Sequence, residues 1–269
     1  MAINPIGNGA FGNNFLFNAA TNKKNDSISQ LWSSYGSYQN NAMNALSGLT
    51  EINTNVRSLL SSYDDAKSAF NSEFEENMSA LSKSAAAVKD YNFSVDKDGA
   101  ITKTDTTDEN GVTTTTTKYS DKLQGALDAV KNLVDDYNSS IKFFNDNAEV
   151  SKRVDRLAQS FSDTTYRASI YESIGLTTKG DGSLEINEEK LANSIVNDPD
   201  KVSRILGKDG LAGKAESHVS FANSQKDNLF PSAQKMFGSQ LSNAAIYTGS
   251  AYRNMTALNN VGNLLNMMF

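Results

Sequence analysis

The 269-residue chain has no cysteine, one tryptophan (Trp32) and one histidine (His218). Without cysteine there is no disulfide framework, no thiolate nucleophile and no Cys-ligated metal. With a single histidine, any His-dependent triad would rest on His218, and a His-rich zinc site is excluded. The surrounding ESHVSF reads as a helix face. No apolar run reaches the roughly 18 residues that a membrane-spanning helix needs, so no span is expected. The net charge is −6, from 25 basic and 31 acidic residues. Nucleic-acid binding leans on clustered Lys and Arg, so no nucleic-acid partner is expected. The opening MAINPIGNGAFGNNFLF lacks the positive and apolar regions of a cleavable signal. The chain is therefore expected to be cytoplasmic or exported by a route that reads no such signal.

Charge is scarcest at the two ends. Residues 1–50 carry three charged side chains, Lys23, Lys24 and Asp26, and residues 236–269 carry one, Arg253. A solvated helix face ordinarily carries Lys and Glu, which are costly to desolvate. A face of Asn, Ser, Thr and Gly suits close packing on several sides, which points to burial of the terminal regions in an assembly. The apolar content of 38% is low for a compact globule and ordinary for a subunit that buries surface in partners.

Against that background one pattern dominates. Stepping by three and four from Ile28 gives Leu31, Tyr35, Tyr38, Ala42, Ala45, Leu49, Ile52, Val56, Leu59, Tyr63, Ala66 and Phe70, apolar or aromatic throughout. A 3.5-residue repeat keeps one stripe on a partner only if helices supercoil. The stripe then slips through Phe74 and Met78 and resumes at Leu81, Ala85 and Val88, the mark of a stutter. A second stripe closes the chain: Phe237, Leu241, Ala244, Thr248, Ala251, Met255, Leu258, Gly262, Leu265 and Phe269. Helices this long are marginal unless the stripe is covered. The simplest cover is each other, antiparallel.

Between the stripes the character changes. Residues 91–119 are Thr-rich and carry Asp98-Gly99 and Asn110-Gly111, both suited to tight hairpin turns. They predict a hairpin or a three-stranded meander, polar on its exposed face. A helix near 120–148 follows, with the stripe Leu123, Leu127, Val130, Val134, Tyr137, Ile141 and Phe144. The next is predicted over about 150–173, burying Val154, Leu157, Phe161, Ala168 and Tyr171. Gly175, Gly180 and Gly182 punctuate a short strand pair. Asn187 reads as the cap of one helix, and Asp198-Pro199 opens another that buries Val202, Ile205 and Leu206. From Leu211 the chain reads as helical again, with Pro231 breaking, kinking or restarting it.

The fold expected is mainly α: a long antiparallel N-/C-terminal coiled-coil rod with a small α+β head between its helices. Residues 1–27 would be a flexible terminal segment, 28–90 and 211–269 the rod, and 91–210 the head, with its hairpin at 91–119. The assembly interface would use Leu31, Tyr35, Tyr38, Leu49, Ile52, Val56, Leu241, Met255, Leu258, Leu265 and Phe269.

Catalytic and metal readings find little support. Asp96-x-Asp98-Gly99 has Ser94 and Asp105 where a calcium loop needs further ligands. Glu73, Glu75 and Glu76 read as a solvated helix face. No cofactor, metal site or enzymatic activity is expected.

Residues 174–191, IGLTTKGDGSLEINEEKL, carry a resemblance. Together with Tyr137-Asn138 upstream and Pro199-Asp200-Lys201-Val202 downstream, they resemble the C-terminal region of the bacterial flagellar filament cap protein, hook-associated protein 2. The matched elements are a Tyr-Asn pair on a helix, the turn Ile174-Gly175-Leu176-Thr177 and the strand Asp181-Gly182-Ser183-Leu184-Glu185-Ile186-Asn187. Lys190-Leu191 and the Pro-x-x-Val helix complete them. The resemblance covers about 125–215 and implies a structural axial protein, exported through the flagellar channel and assembled outside the cell. Partners would be further copies of itself, proteins of the filament or hook–filament junction, and an export chaperone. A flagellin-like filament subunit, and an adhesin or host-contact module using the Thr-rich hairpin, stand beside it as alternatives.

Overall fold

The computed structural model describes Leu31, Ser33, residues 49–107 and residues 113–237, with the side chains of the first long segment described from Ser58. The described chain is mainly helical, with two small two-stranded sheets. The chain divides into two compact units, Glu73–Leu229 and a second comprising Met1–Ser72 and Phe230–Phe269.

Helix α1 (Leu49–Lys89) contains neither Gly nor Pro, so nothing in its backbone interrupts it. Its predicted stripe is buried at every position with a described side chain: Leu59, Tyr63, Ala66, Phe70, Phe74, Met78, Leu81, Ala85 and Val88. The helix runs unbroken through the slip at Phe70–Met78, so the stutter is absorbed by repositioning the stripe.

Strands β1 (Ile101–Thr107) and β2 (Thr113–Tyr119) form one antiparallel hairpin, with Thr104 opposite Thr116. It has two strands rather than three. Asp98-Gly99 does not join strands; it bends the chain ahead of β1, with Gly99 at φ 75°. Asn110-Gly111 lies outside the described residues. The preceding segment is anchored by Phe93 and Ala100, both buried, and Phe93 packs on Tyr91 at 4.9 Å between ring centroids. The hairpin itself is exposed on both faces, with only Ile101 and Tyr119 at its base half-buried.

Helix α2 (Asp121–Asp146) starts at Ser120, whose hydroxyl accepts from Leu123 N–H, and buries its entire predicted stripe. A 3-10 turn (Ala148–Val150) leads to α3 (Lys152–Phe161). There the structure departs from expectation. The single helix predicted over 150–173 is broken into α3, a 3-10 segment (Ser162–Arg167) and the short α4 (Ala168–Glu172). The cause is tertiary. The Ser162 hydroxyl donates to Ala158 O and to Asp181 O (2.8 Å), and Thr164 donates to Gly182 O (2.5 Å). Both tie this segment to the turn between β3 (Leu176–Thr178) and β4 (Leu184–Ile186). The break also leaves Ala168 half-buried, where full burial was expected.

Helices α5 (Glu188–Asn197) and α6 (Pro199–Leu206) are capped as predicted. Asn187 accepts from Lys190 N–H and Asp198 from Lys201 N–H, with Pro199 at the first helical position. Val202 and Leu206 are buried, whereas Ile205 is half-buried. Helix α7 (Leu211–Gln225) packs on α3 and α6. After Pro231 a new helix, α8 (Ala233–Phe237), starts where Ser232 accepts from Lys235 N–H.

A chain of rings runs through the core of the Glu73–Leu229 unit. Phe74 of α1 meets Phe143 and Phe144 of α2, Phe144 meets Phe161 of α3 at 4.8 Å, and Phe161 lies 4.9 Å from the His218 ring of α7. Such pairs add about 0.5–1.5 kcal/mol each beyond the area they bury. They lock four helices around one seam.

Candidate functional site

Of the predicted interface residues, Leu31 is helical and fully buried. Leu49, Ile52 and Val56 fall within α1, but their side chains lie outside the described residues. Tyr35, Tyr38, Leu241, Met255, Leu258, Leu265 and Phe269 lie outside them altogether. The adjoining stretch of α1 is described. Phe70 packs on Phe230 at 5.4 Å, and Tyr63 contacts Phe230 at 5.7 Å and Phe237 at 6.1 Å. Going back along α1 from Phe70 to Tyr63 thus corresponds to going forward from Phe230 to Phe237, an antiparallel sense. The Tyr63 hydroxyl, itself part-buried, donates to Pro231 O at 2.9 Å. Helix α7 already ends at Gln225, so Pro231 does not break it; it precedes α8 and supplies the acceptor for Tyr63.

The Tyr-Asn pair has a definite mechanical role. Asn138 donates through Nδ2 to Leu184 O and accepts through Oδ1 from Leu184 N–H, both at 2.8 Å. One side chain on α2 thus satisfies both backbone groups of a β4 residue, as a neighbouring strand would. Tyr137 is fully buried and donates to Phe161 O at 2.8 Å, at the end of α3 where the 3-10 segment begins. Burial raises its phenol pKa, so it stays a donor. Two adjacent residues of one helix therefore hold the end of α3 and strand β4.

The glycines of the same motif are required by space and by backbone. Gly175 has φ 96°, and a Cβ there would stand 2.7 Å from Leu191 N; its carbonyl accepts from Asn187 N–H. Gly182 has φ 88°, and a Cβ there would stand 2.5 Å from Ser162 Cα. Asp181 accepts from the Ser183 hydroxyl and N–H, and these bonds lower its pKa. Asp181-Gly182 is a turn, and the strand begins only at Leu184.

His218 sits in a polar cluster that sequence reasoning did not assemble. Its Nδ1 is 3.3 Å from Ser160 Oγ, and its Nε2 is 3.5 Å from Asp163 Oδ1, with neither of the latter two atoms making a hydrogen bond. Asp163 Oδ2 accepts from Lys214 Nζ at 2.5 Å. The residue types resemble a Ser-His-Asp relay, but the surroundings do not serve one. Ser160 lies inside α3, whose N–H groups are committed to the helix, so no pair of donors is free for an oxyanion. Lys214 already neutralises the carboxylate. Burial lowers the His218 pKa against the opposing pull of Asp163, leaving the ring neutral and packed on Phe161 at a tilt of 32°. The cluster ties α7 to the 3-10 segment. The Tyr171 hydroxyl nearby is buried without a hydrogen-bond partner, and burial pushes its pKa up to about 12. The i, i+4 spacing of Lys214 and His218 puts both on one face of α7, but nothing in the sequence marked Asp163 as their partner.

An open depression lined by Lys89, Asp90, Arg204, Lys208 and Asp209 mixes both charges, and Lys89 is paired with Glu216 at 2.6 Å. Among the described residues no cluster of three or more His, Cys, Asp or Glu could hold a metal ion, and no helix is long and apolar enough to cross a membrane. Glu75 and Glu76 are exposed, as expected of a solvated face, whereas Glu73 is half-buried; Glu75 pairs with Lys226. Tyr166 (89% exposed), Ile170 and Phe221 stand out as large apolar side chains facing outward.

Residues 146–261 match the family model described as the flagellar hook-associated protein 2 C-terminus. The match begins just after Tyr137-Asn138 and takes in the broken helix, the β3–β4 pair and helices α5 to α8. It agrees with the resemblance carried by residues 174–191. A search of the curated proteins and one of the solved structures each returned no match.

Proposed function

We propose, from the match of residues 146–261 to the family model of the flagellar hook-associated protein 2 C-terminus, that the chain is an extracellular structural protein of the flagellar axis. That family is structural rather than enzymatic. The family match is the observation that carries the reading. In this reading the protein self-assembles through its terminal helices, residues 28–90 and 211–269, paired as an antiparallel coiled coil, with 91–210 as the head. The interface comprises Leu31, Tyr35, Tyr38, Leu49, Ile52, Val56, Leu241, Met255, Leu258, Leu265 and Phe269. Two features support this part: the antiparallel contacts of Tyr63 and Phe70 with Phe230 and Phe237, and the near absence of charge at both ends. Copies would close into a small ring at the filament end and contact filament or hook–filament junction proteins. Export would proceed without a cleaved signal, with a chaperone shielding the terminal stripes.

Leu258→Asp tests the seam. An unpaired carboxylate there costs several kcal/mol of seam stability, and assembly through the terminal helices should be lost, shifting size-exclusion elution to smaller species. A variant that assembles like the parent would remove the terminal helices from the interface. A second reading, a subunit that polymerises into the filament itself, draws on the same low-charge termini and differs in giving open helices instead of closed rings. The adhesin reading draws on the exposed hairpin. Deleting residues 96–118 separates it, since assembly should survive while surface binding should fail.

A further inference from the structure

The Thr-rich hairpin is an anomaly in an otherwise packed unit. An isolated two-stranded hairpin is marginal in water, yet this one exposes both faces over almost its whole length. Nine of its fourteen strand residues are threonine, which favours strand backbone but buries nothing here. Among the described residues neither outer edge has a strand partner, since the sheet consists of β1 and β2 alone. Its side-chain ties are few. Lys103 Nζ meets Glu189 at 2.6 Å, the Thr115 hydroxyl donates to Asp105 at 2.6 Å, and the Thr107 and Thr113 hydroxyls meet at 3.1 Å.

The two edges differ in charge. β2 runs Thr113–Thr117 without a charge and has only Lys118 beyond. β1 reads Ile-Thr-Lys-Thr-Asp-Thr-Thr, with Lys103 and Asp105 placed symmetrically about Thr104. That order is self-complementary. If β1 of one copy lies antiparallel to β1 of another, centred on Thr104, then Lys103 stands opposite Asp105 in both directions. Thr104 then faces Thr104, and Thr102 faces Thr106. Directly opposed residues of antiparallel strands share a face and touch, and opposite charges there are favourable while like charges are not. The same arithmetic rejects the neighbouring in-face registers. A slip of two residues one way sets Lys103 against Lys103, and the other way sets Asp105 against Asp105. A side-chain pattern that selects one register is what an otherwise uniform Thr strand lacks. Lys103 has three donors, so it can keep Glu189 while taking a second carboxylate.

We infer that the β1 edge is a docking strand for a second copy of this chain, joining two hairpins into a four-stranded antiparallel sheet about a two-fold axis at Thr104. The contact is isologous and independent of the terminal helices, so it links copies through the head. Pairing covers the β1 edge and converts a marginal hairpin into a sheet of sufficient strand number.

The absence of cysteine makes the test direct, because one introduced thiol has only its own copy to bridge to. Thr104→Cys in the full chain should give a disulfide-linked dimer under mild oxidation, since directly opposed strand positions fall within disulfide reach. Thr116→Cys is the matched control: it faces Thr104 across the same hairpin, is also exposed, and sits on the strand that does not dock. It should stay monomeric on a denaturing gel. Adding Lys103→Asp to Thr104→Cys sets Asp against Asp and should abolish the dimer. Adding Asp105→Lys to that restores the complementarity with signs exchanged and should recover it, although the tie to Glu189 is still gone. Equal cross-linking at 104 and 116, or no recovery on exchanging the charges, would overturn the inference. Repeating the Thr104→Cys experiment in the Leu258→Asp background keeps the two interfaces apart: the cross-link should persist where terminal assembly is lost, and its loss there would contradict an independent head contact.

Discussion

Replacing Asn138 by alanine removes one side chain that holds two backbone groups. Leu184 loses a donor and an acceptor, both at 2.8 Å, and is itself buried. Each neutral hydrogen bond is worth about 0.5–1.5 kcal/mol net, and a buried group left unpaired costs about 1–3 kcal/mol. Asn138 is half-buried, so water can partly replace it; the expected loss is about 2–3 kcal/mol, above the lost bonds alone and below full desolvation of both groups. Urea unfolding should show the midpoint falling at unchanged slope. Hydrogen exchange localises the effect: the amides of the β3–β4 pair should exchange roughly 30-fold faster for a loss of about 2 kcal/mol. Asp135→Ala, on the exposed side of the same helix, is the control and should stay within about 0.5 kcal/mol. An Asn138→Ala midpoint indistinguishable from that control would mean that the clamp carries no stability.

The glycine of the β3–β4 turn makes a sharper case. Gly182→Ala combines φ 88° with a Cβ 2.5 Å from Ser162 Cα, and should cost at least about 1–3 kcal/mol in thermal or urea unfolding. Gly99→Ala shares the positive φ but has open space around it, so it should cost less than Gly182→Ala in the same assay. Stability should also carry a signature of His218. Its folded pKa lies below its unfolded value of about 6.5, so the unfolded state takes up the proton first as pH falls. The contribution is present above that unfolded pKa and drains away as pH drops from it toward the folded value. Urea midpoints measured from pH 7.5 down to 5 should fall more steeply for the parent than for His218→Gln; parallel curves would remove His218 from the balance.

What could be read in advance was whatever neighbours in sequence decide. The stripe from Leu59 to Val88 shows because helical periodicity is local, and its burial survives even the stutter. The second helix was read from Ser120, which proves to be its cap, and Asn187 and Asp198-Pro199 were legible as caps because capping involves a residue and the amides two or three positions on. The break at Ser162 was not legible. Nothing in QSFSDTTYRA forbids a helix, and its partners, Asp181 and Gly182, arrive some twenty residues later. Asp98-Gly99 has the composition of a hairpin turn, but Phe93 and Ala100 are drawn into the core, so the segment ahead of it never pairs as a strand. The Tyr-Asn pair was recognisable as a signature before its mechanics were: that Asn138 stands in for a strand beside Leu184 follows only from the packing of α2 on β4. The charge symmetry of Lys103 and Asp105 was present in the letters, but had no meaning until β1 had an open edge.

The central claim is a structural subunit that assembles with copies of itself. Electron microscopy of the purified chain over rising concentration addresses it most directly. The account predicts discrete closed oligomers that grow in number but not in size as concentration rises. Long open helical filaments would transfer the protein to the filament body, and a chain that stays monomeric at every concentration would contradict self-assembly outright.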